Sequence, residues 1–172
     1  LLFFCCFSAT VDAGQQNLEY KVKAAYLYNF TKFITWPEKQ GDTFKLCILG
    51  PDPFGSILKP LEKKTALGKP IRLYHLQSIK QAKQCQLLYL NNEDTHHLSQ
   101  LNATSLIISS LDDTLIVSSQ TFFAENGGMI GFVIRDGRIK LQVNLLVLKH
   151  HGFKISAKLL EVAELVEGKD DE

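Results

Sequence analysis

The chain has 172 residues, of which 45% are hydrophobic and 22% charged, and its formal net charge is +1. That length fits one domain with its own core, and those fractions fit neither an intrinsically disordered chain nor a multi-pass membrane protein. The charge is too near zero to predict nucleic acid or an anionic membrane as partner, and no repeat or low-complexity tract is present.

The run Leu1-Leu2-Phe3-Phe4-Cys5-Cys6-Phe7 is apolar but too short to span a bilayer as a helix. Small residues follow, ending in Val11-Asp12-Ala13 before Gly14. This pattern reads as the remnant of a secretory signal peptide over 1–13, ahead of a single domain over 14–172. The competing interpretation is a disordered or buried leading segment. On the signal-peptide reading Cys5 and Cys6 leave, and only Cys47 and Cys85 remain, an even number in an oxidising compartment. They read either as a bridge, worth about 4 kcal/mol by loop-closure entropy, or as two buried thiols. There is no Cys-x-x-Cys, so neither a thioredoxin-like site nor a zinc knuckle is indicated.

Leu18 to Trp36 predicts an amphipathic helix. Its stripe is Leu18, Val22, Ala25, Asn29 and Phe33, widened by Tyr26, Phe30 and Ile34, with Lys21, Lys23 and Lys32 on other faces. Pro37 stops it. Phe44 to Gly50 is a strand running into the turn Gly50-Pro51-Asp52-Pro53. Phe54 to Lys64 is a helix that Pro60 interrupts, and Ile71 to His75 a half-buried strand. Ser78 to Lys83 holds one helical turn, and Gln86 to Leu90 is a central strand. Asp94 or Thr95 caps a helix near His96. Leu98 to Leu111 has both strand-like composition and helical spacing. Leu115 to Val117 is a strand, and Thr121 to Glu125 a short helix. Met129 to Arg135 and Arg138 to Val143 are strands joined by Asp136-Gly137, a strong hairpin signal. Leu145 to His150 and Ser156 to Val166 are closing helices. Alternating strands and helices predict an α/β fold of three layers, α/β/α and Rossmann-like. Its mostly parallel sheet has six strands and gains an antiparallel edge from the C-terminal hairpin.

Three features together resemble the YfiR family. They are the segment Lys23 to Pro37 (KAAYLYNFTKFITWP); the pair Leu46-Cys47-Ile48-Leu49-Gly50 and Cys85-Gln86-Leu87-Leu88-Tyr89-Leu90; and Gly127 to Phe132 running through Arg135-Asp136-Gly137-Arg138 to Gln142-Val143-Asn144. The resemblance implies a periplasmic protein that represses a membrane-bound diguanylate cyclase by binding its periplasmic region, so controlling cyclic di-GMP and biofilm formation. It also implies sequestration by an outer-membrane lipoprotein, a homodimer, and Cys47 and Cys85 as the bridging pair. It favours helix over 98–111. Some relatives carry a second cysteine pair around the Gly-Gly-Met turn, where this chain has Ala124 and Gly131.

Catalysis finds no motif: there is no nucleophile elbow and no His-Glu-x-x-His. Gly127, Gly128 and Gly131 precede a strand, so they cannot set a pyrophosphate on a helix N-terminus. His75, His96, His97, His150 and His151 show no chelating pattern, because helical neighbours point about 100° apart. The expectation is therefore a binding protein with no enzymatic activity, cofactor or metal, and no nucleic-acid partner. Tyr26, Tyr28, Asn29, Lys32, Phe33 and Trp36 are candidates for a partner or dimer interface, since aromatics bring large contact area with few rotors to freeze; the alternative is a wide core stripe. Arg135, Asp136, Arg138 and Asn144 are candidates for a site taking a small anion or an acidic loop. The alternatives there are a solvated turn and, for Asn144, a helix cap.

Overall fold

The computed structural model describes residues 12–38, 41–91 and 106–167. Helix α1 (Asp12–Phe33) is followed by β1 (Ile34–Thr35), β2 (Phe44–Leu49), a 3-10 helix (Gly55–Lys63), β3 (Thr65–Ala66), β4 (Lys69–Leu76) and a second 3-10 helix (Ile79–Gln84). Then come β5 (Leu87–Leu90), β6 (Leu115–Ser118), β7 (Ile130–Arg135), β8 (Arg138–Asn144), α2 (Leu145–His150), β9 (Lys154–Ile155), α3 (Ala157–Leu160) and β10 (Ala163–Val166). The main sheet has eight strands in the order β10-β8-β7-β6-β5-β2-β4-β3. Strands β4, β2, β5, β6 and β7 run parallel, β8 turns back on β7, and β10 runs parallel to β8. The α/β class and the mostly parallel sheet are as expected.

The register sets the layers. Leu46, Leu87, Leu115 and Ile130 fall on one face together with Tyr89 and Phe132, and α1 packs there through Phe30 on the Phe132 ring at 6.2 Å. The other face carries Cys47 and Leu88 and lies under the second 3-10 helix, whose C-cap is Cys85. Both faces being covered explains why β5 and β6 are continuous apolar runs rather than alternating ones.

Several expectations change. The helix ends at Phe33 rather than Trp36, because the Phe33 carbonyl accepts from Ser156 N–H and Ile34-Thr35 pair with Ile155-Lys154. Its buried stripe is also rotated: Leu27 and Phe30 are fully buried, whereas Leu18 and Ala25 are exposed. Aromatics around the whole circumference of the helix left its apolar face ambiguous. Phe54–Lys64 winds as a 3-10 helix with Pro60 inside it. Thr121–Glu125 forms turns, not a helix, and Phe122 sits at φ 58, outside helical geometry. The closing helix stops at Leu160, and 163–166 becomes β10, so the hairpin is not an edge and the sheet exceeds six strands by β3 and β10. Residues 106–109 are helical, Ser110 turns out of the helix and Leu111 follows it; 98–105 and the predicted cap at Asp94 or Thr95 lie outside the described residues.

Two glycines are fixed by space. A Cβ at Gly50 (φ 95) would lie 1.7 Å from the Asn91 carbonyl oxygen, and one at Gly128 would lie 2.4 Å from the Phe123 ring. Cys47 and Cys85 are both fully buried and joined, Cα to Cα 6.1 Å across a sequence separation of 38. Replacing both with Ser should cost about 4 kcal/mol in urea unfolding, from the loop left unclosed in the denatured chain. An unchanged midpoint would show that the bridge does not stabilise the fold.

Candidate functional site

Two crevices lie beside the carboxyl ends of the parallel strands. The first, about 330 Å³, lies between the N-terminal half of α1, the turn after β6 and the outer parts of β7 and β8. Lys23 lines it although only 3% exposed. Its ammonium is paired with Glu19 one helical turn earlier, and it sits 4.7 Å from the Tyr20 ring centroid and 6.0 Å from that of Phe132. A buried cation needs such partners, because desolvation otherwise expels or neutralises it. On the opposite wall the Gln142 amide donates to Glu125 at 3.0 Å. Arg135 closes the outer end, its Nε 3.8 Å from Glu164. Phe122 stands at the rim, 56% exposed and in the left-handed conformation that bulky residues avoid.

Beneath this cleft lies a chain of rings. Tyr20 meets Phe54 at 5.4 Å, Phe54 meets Tyr89 at 4.8 Å, and Tyr89 meets Phe132 at 6.4 Å. The Tyr89 hydroxyl is hydrogen-bonded to Ser119 at 2.8 Å. Burial pushes the Tyr89 phenol up to about 12, against a smaller lowering by the Ser119 bond. The result is an aromatic floor with paired charges above it, a lining that suits a small molecule combining a charge with an apolar body.

The second crevice, about 630 Å³, sits at the ends of β2, β4 and β5, where the strand order reverses. Its walls include Leu49, Leu76, Leu90 and Ile107, and none of its described lining residues is charged. Position alone makes it a ligand site in open α/β sheets, but it offers no charged group to orient a ligand.

The expected residues are placed as follows. Tyr26 stacks on Phe30 at 6.3 Å and lies tilted against Phe132 at 6.0 Å. Trp36 is wedged edge-on between Phe44 and Phe153, at 5.2 and 5.5 Å, and its indole N–H has no acceptor among the described residues. Phe33 packs half-buried against the core. Tyr28 is half-buried, with the ammoniums of Lys32 and Lys64 4.4 and 5.1 Å from its ring, and Asn29 is half-buried. Of this group, Lys32 is the exposed member, and Tyr28 packs half-buried against the core beside it. Arg135 and Arg138 face each other across the hairpin, with Asp136 (φ 50) in its turn. Asn144 is not with them. It is fully buried about 20 Å along the strand, where it accepts from Val147 N–H and donates to the Ala124 carbonyl, each at 3.1 Å. That is the helix-cap alternative.

Lys23, Glu125, Gln142 and Phe122 were not anticipated as a group. Glu19 and Lys23 form an i,i+4 pair, a pattern that ordinarily marks a solvent face. The others come from two further segments, the turn after β6 (Phe122, Glu125) and β8 (Gln142), and meet α1 only in the fold. The His96-His97 pair lies outside the described residues, and among those described no group of three or more His, Cys, Asp and Glu is placed to hold a metal ion.

The Tyr89 environment gives a signed pH dependence. The folded phenol keeps its proton to about 12 while the unfolded one releases it near 10.0, so this contribution is intact below pH 10.0 and is lost as pH rises towards 12. Tyr89→Phe should start lower by about 1 kcal/mol for the lost hydrogen bond, yet lose stability less steeply above pH 10.0 in urea titrations. Parallel slopes would mean that Tyr89 ionises normally in the fold.

No curated protein matches the chain. Among solved structures it is similar to an ABC domain from Streptococcus pneumoniae crystallised in complex with L-Trp, with TM-score 0.51 and 11% identity, covering 88% of this chain and 60% of that one. It is also similar to a conserved domain protein from Vibrio cholerae O1 biovar El Tor, with TM-score 0.54 and 10% identity, covering 85% of this chain and 59% of that one. At such identities the likeness shows the α/β fold alone, and this chain spans only about three fifths of each. The family model described as YfiR/HmsC-like matches residues 20–164, from within α1 to β10, and so takes in the disulfide, the aromatic floor and the hairpin; the chain belongs to the YfiR/HmsC-like family.

Proposed function

We propose that this protein is an exported repressor that binds the periplasmic region of a membrane-bound diguanylate cyclase and so lowers cyclic di-GMP and biofilm formation. The observation that carries the reading is the family match over residues 20–164, which supports a periplasmic regulator of diguanylate cyclase signalling. The buried Cys47–Cys85 bridge is consistent with an oxidising compartment. On this reading residues 1–13 belong to a signal peptide, 14–172 is one domain, and the protein works as a homodimer that an outer-membrane lipoprotein can sequester. Lys32 on α1 is the exposed side chain of the aromatic segment, and half-buried Tyr28, Tyr26, Asn29, Phe33 and Trp36 would form the rest of the partner face.

A small-molecule sensor is the second reading, and the cleft around buried Lys23 favours it. An anionic or aromatic ligand seated there against Phe132 and Arg135 would modulate the same contact. Arg138, Asp136 and Asn144 would act on that site only through the hairpin and through α2.

The test is binding of the purified protein to the periplasmic region of the neighbouring cyclase, with and without reductant. Saturable binding is expected, weakened roughly tenfold or more by Tyr28→Ala with Lys32→Glu, as for an interface hot spot. Absence of binding in both redox states would remove the repressor reading. A ligand of the cleft should raise the melting temperature of the protein and lose that effect in Lys23→Met.

A further inference from the structure

The near-zero charge of the whole chain conceals a strong partition. Between Phe54 and Asn91 every carboxylate or ammonium-type side chain except Glu62 is cationic, so the remainder of the chain is acidic. Lys59, Lys63, Lys64, Arg72, Lys80 and Lys83 are all exposed. They lie on the two 3-10 helices, on β4 and at the entrance to β3, the outermost strand of the sheet. Among the described residues none of the six has a carboxylate partner.

At the tip of the β3–β4 hairpin, between Lys64 and Lys69 in sequence, stands Leu67. It is 50% exposed and holds φ 51. A leucine gains nothing from that backbone region, which glycine occupies without cost. The neighbouring Gly68 is also left-handed (φ 75), so the turn places an apolar side chain outward at a strained position. Strain of this kind persists where the outward group has a use.

We infer that this hairpin edge docks the protein on an anionic lipid bilayer, with Leu67 entering the interface and the surrounding cations resting on the headgroups. The composition argues for lipid over an acidic protein. Five of the six cations named are lysine, a hydrated point charge suited to a diffuse anionic surface, whereas specific carboxylate pairing favours the arginine fork. An exposed apolar residue flanked in the chain by lysines also combines interfacial burial with electrostatic attraction. The inference is independent of the repressor reading and adds to it: a protein held at the membrane surface meets a membrane-bound partner in two dimensions.

The experiment is co-sedimentation of the full chain with vesicles of phosphatidylcholine alone or with about one third phosphatidylglycerol, at low salt and at about 0.5 M salt. Binding to the anionic vesicles only, released by salt, is expected. Leu67→Gly should weaken it roughly tenfold, from the lost interfacial burial, while leaving the melting temperature unchanged or higher, since glycine relieves φ 51. Lys59→Glu with Lys63→Glu should weaken it by roughly tenfold or more. All proteins compared share the same leading residues, so differences report the hairpin. Equal binding to both vesicle types, or variants that bind like the parent, would overturn the inference. So would variants that lose affinity for the cyclase region while the parent ignores vesicles, because the surface would then belong to an acidic protein partner.

Discussion

The pairing of β2 with β5, locked by the Cys47–Cys85 bridge, is the constraint from which the rest of the architecture grows. Strand β2 is laid down first; β4 then adds on one side and β5 on the other, so the strand order reverses between them. The bridge sits beside this reversal and ties the centre of β2 to the residue ahead of β5. Parallel pairing without a tight turn is entropically expensive to close, and the cross-link lowers that cost across the central pair. The outer strands, and the crevices at the strand ends, are positioned relative to these two.

The second organising element is aromatic. Phe30, Phe132, Tyr89 and Phe54 connect α1, β7, β5 and the turn after β2 through ring contacts. This chain fixes the rotation of α1, and that rotation brings Lys23 over Phe132 instead of into solvent. The cleft thus follows from packing: once α1 is seated by its rings, its paired Glu19 and Lys23 have nowhere to go but beside the β6–β7 turn. The same seating leaves Tyr28 half-buried against the core, with the ammoniums of Lys32 and Lys64 near its ring. One helix therefore contributes to the core, to a ligand-sized cleft and to an outer face carrying positive charge.

That arrangement suits a regulator better than a catalyst. The described cleft residues include charged groups held by neighbours, Lys23 by the Glu19 carboxylate and Glu125 by the Gln142 amide, rather than a nucleophile aligned with a base. Membership of a regulatory family points the same way. The cleft and the candidate partner face share α1, so a ligand seated against Lys23 would act on the partner face through one helix.

Much of the fold was legible locally. Phe44-Lys45-Leu46-Cys47-Ile48-Leu49 and Leu115-Ile116-Val117 are strands on composition, Asp136-Gly137 forces a hairpin, and the resemblance around Cys47 and Cys85 named the bridge. What misled were segments whose neighbours decide their state. Ala163–Val166 has helical spacing with what precedes it but becomes a strand because β8 would otherwise be left with an open edge. Ile34-Thr35 leaves the helix because Lys154-Ile155 offers a ladder. Net charge, a sum over the chain, hid a cationic stretch from Lys59 to Lys83, and strand order puts its strands β3 and β4 at one edge of the sheet. The sequence by itself determined which residues are apolar, which turns are obligatory and which family the chain resembles. Tertiary structure alone decided which face of α1 is buried and that Lys23 is inside, because both depend on contacts between segments far apart in the chain.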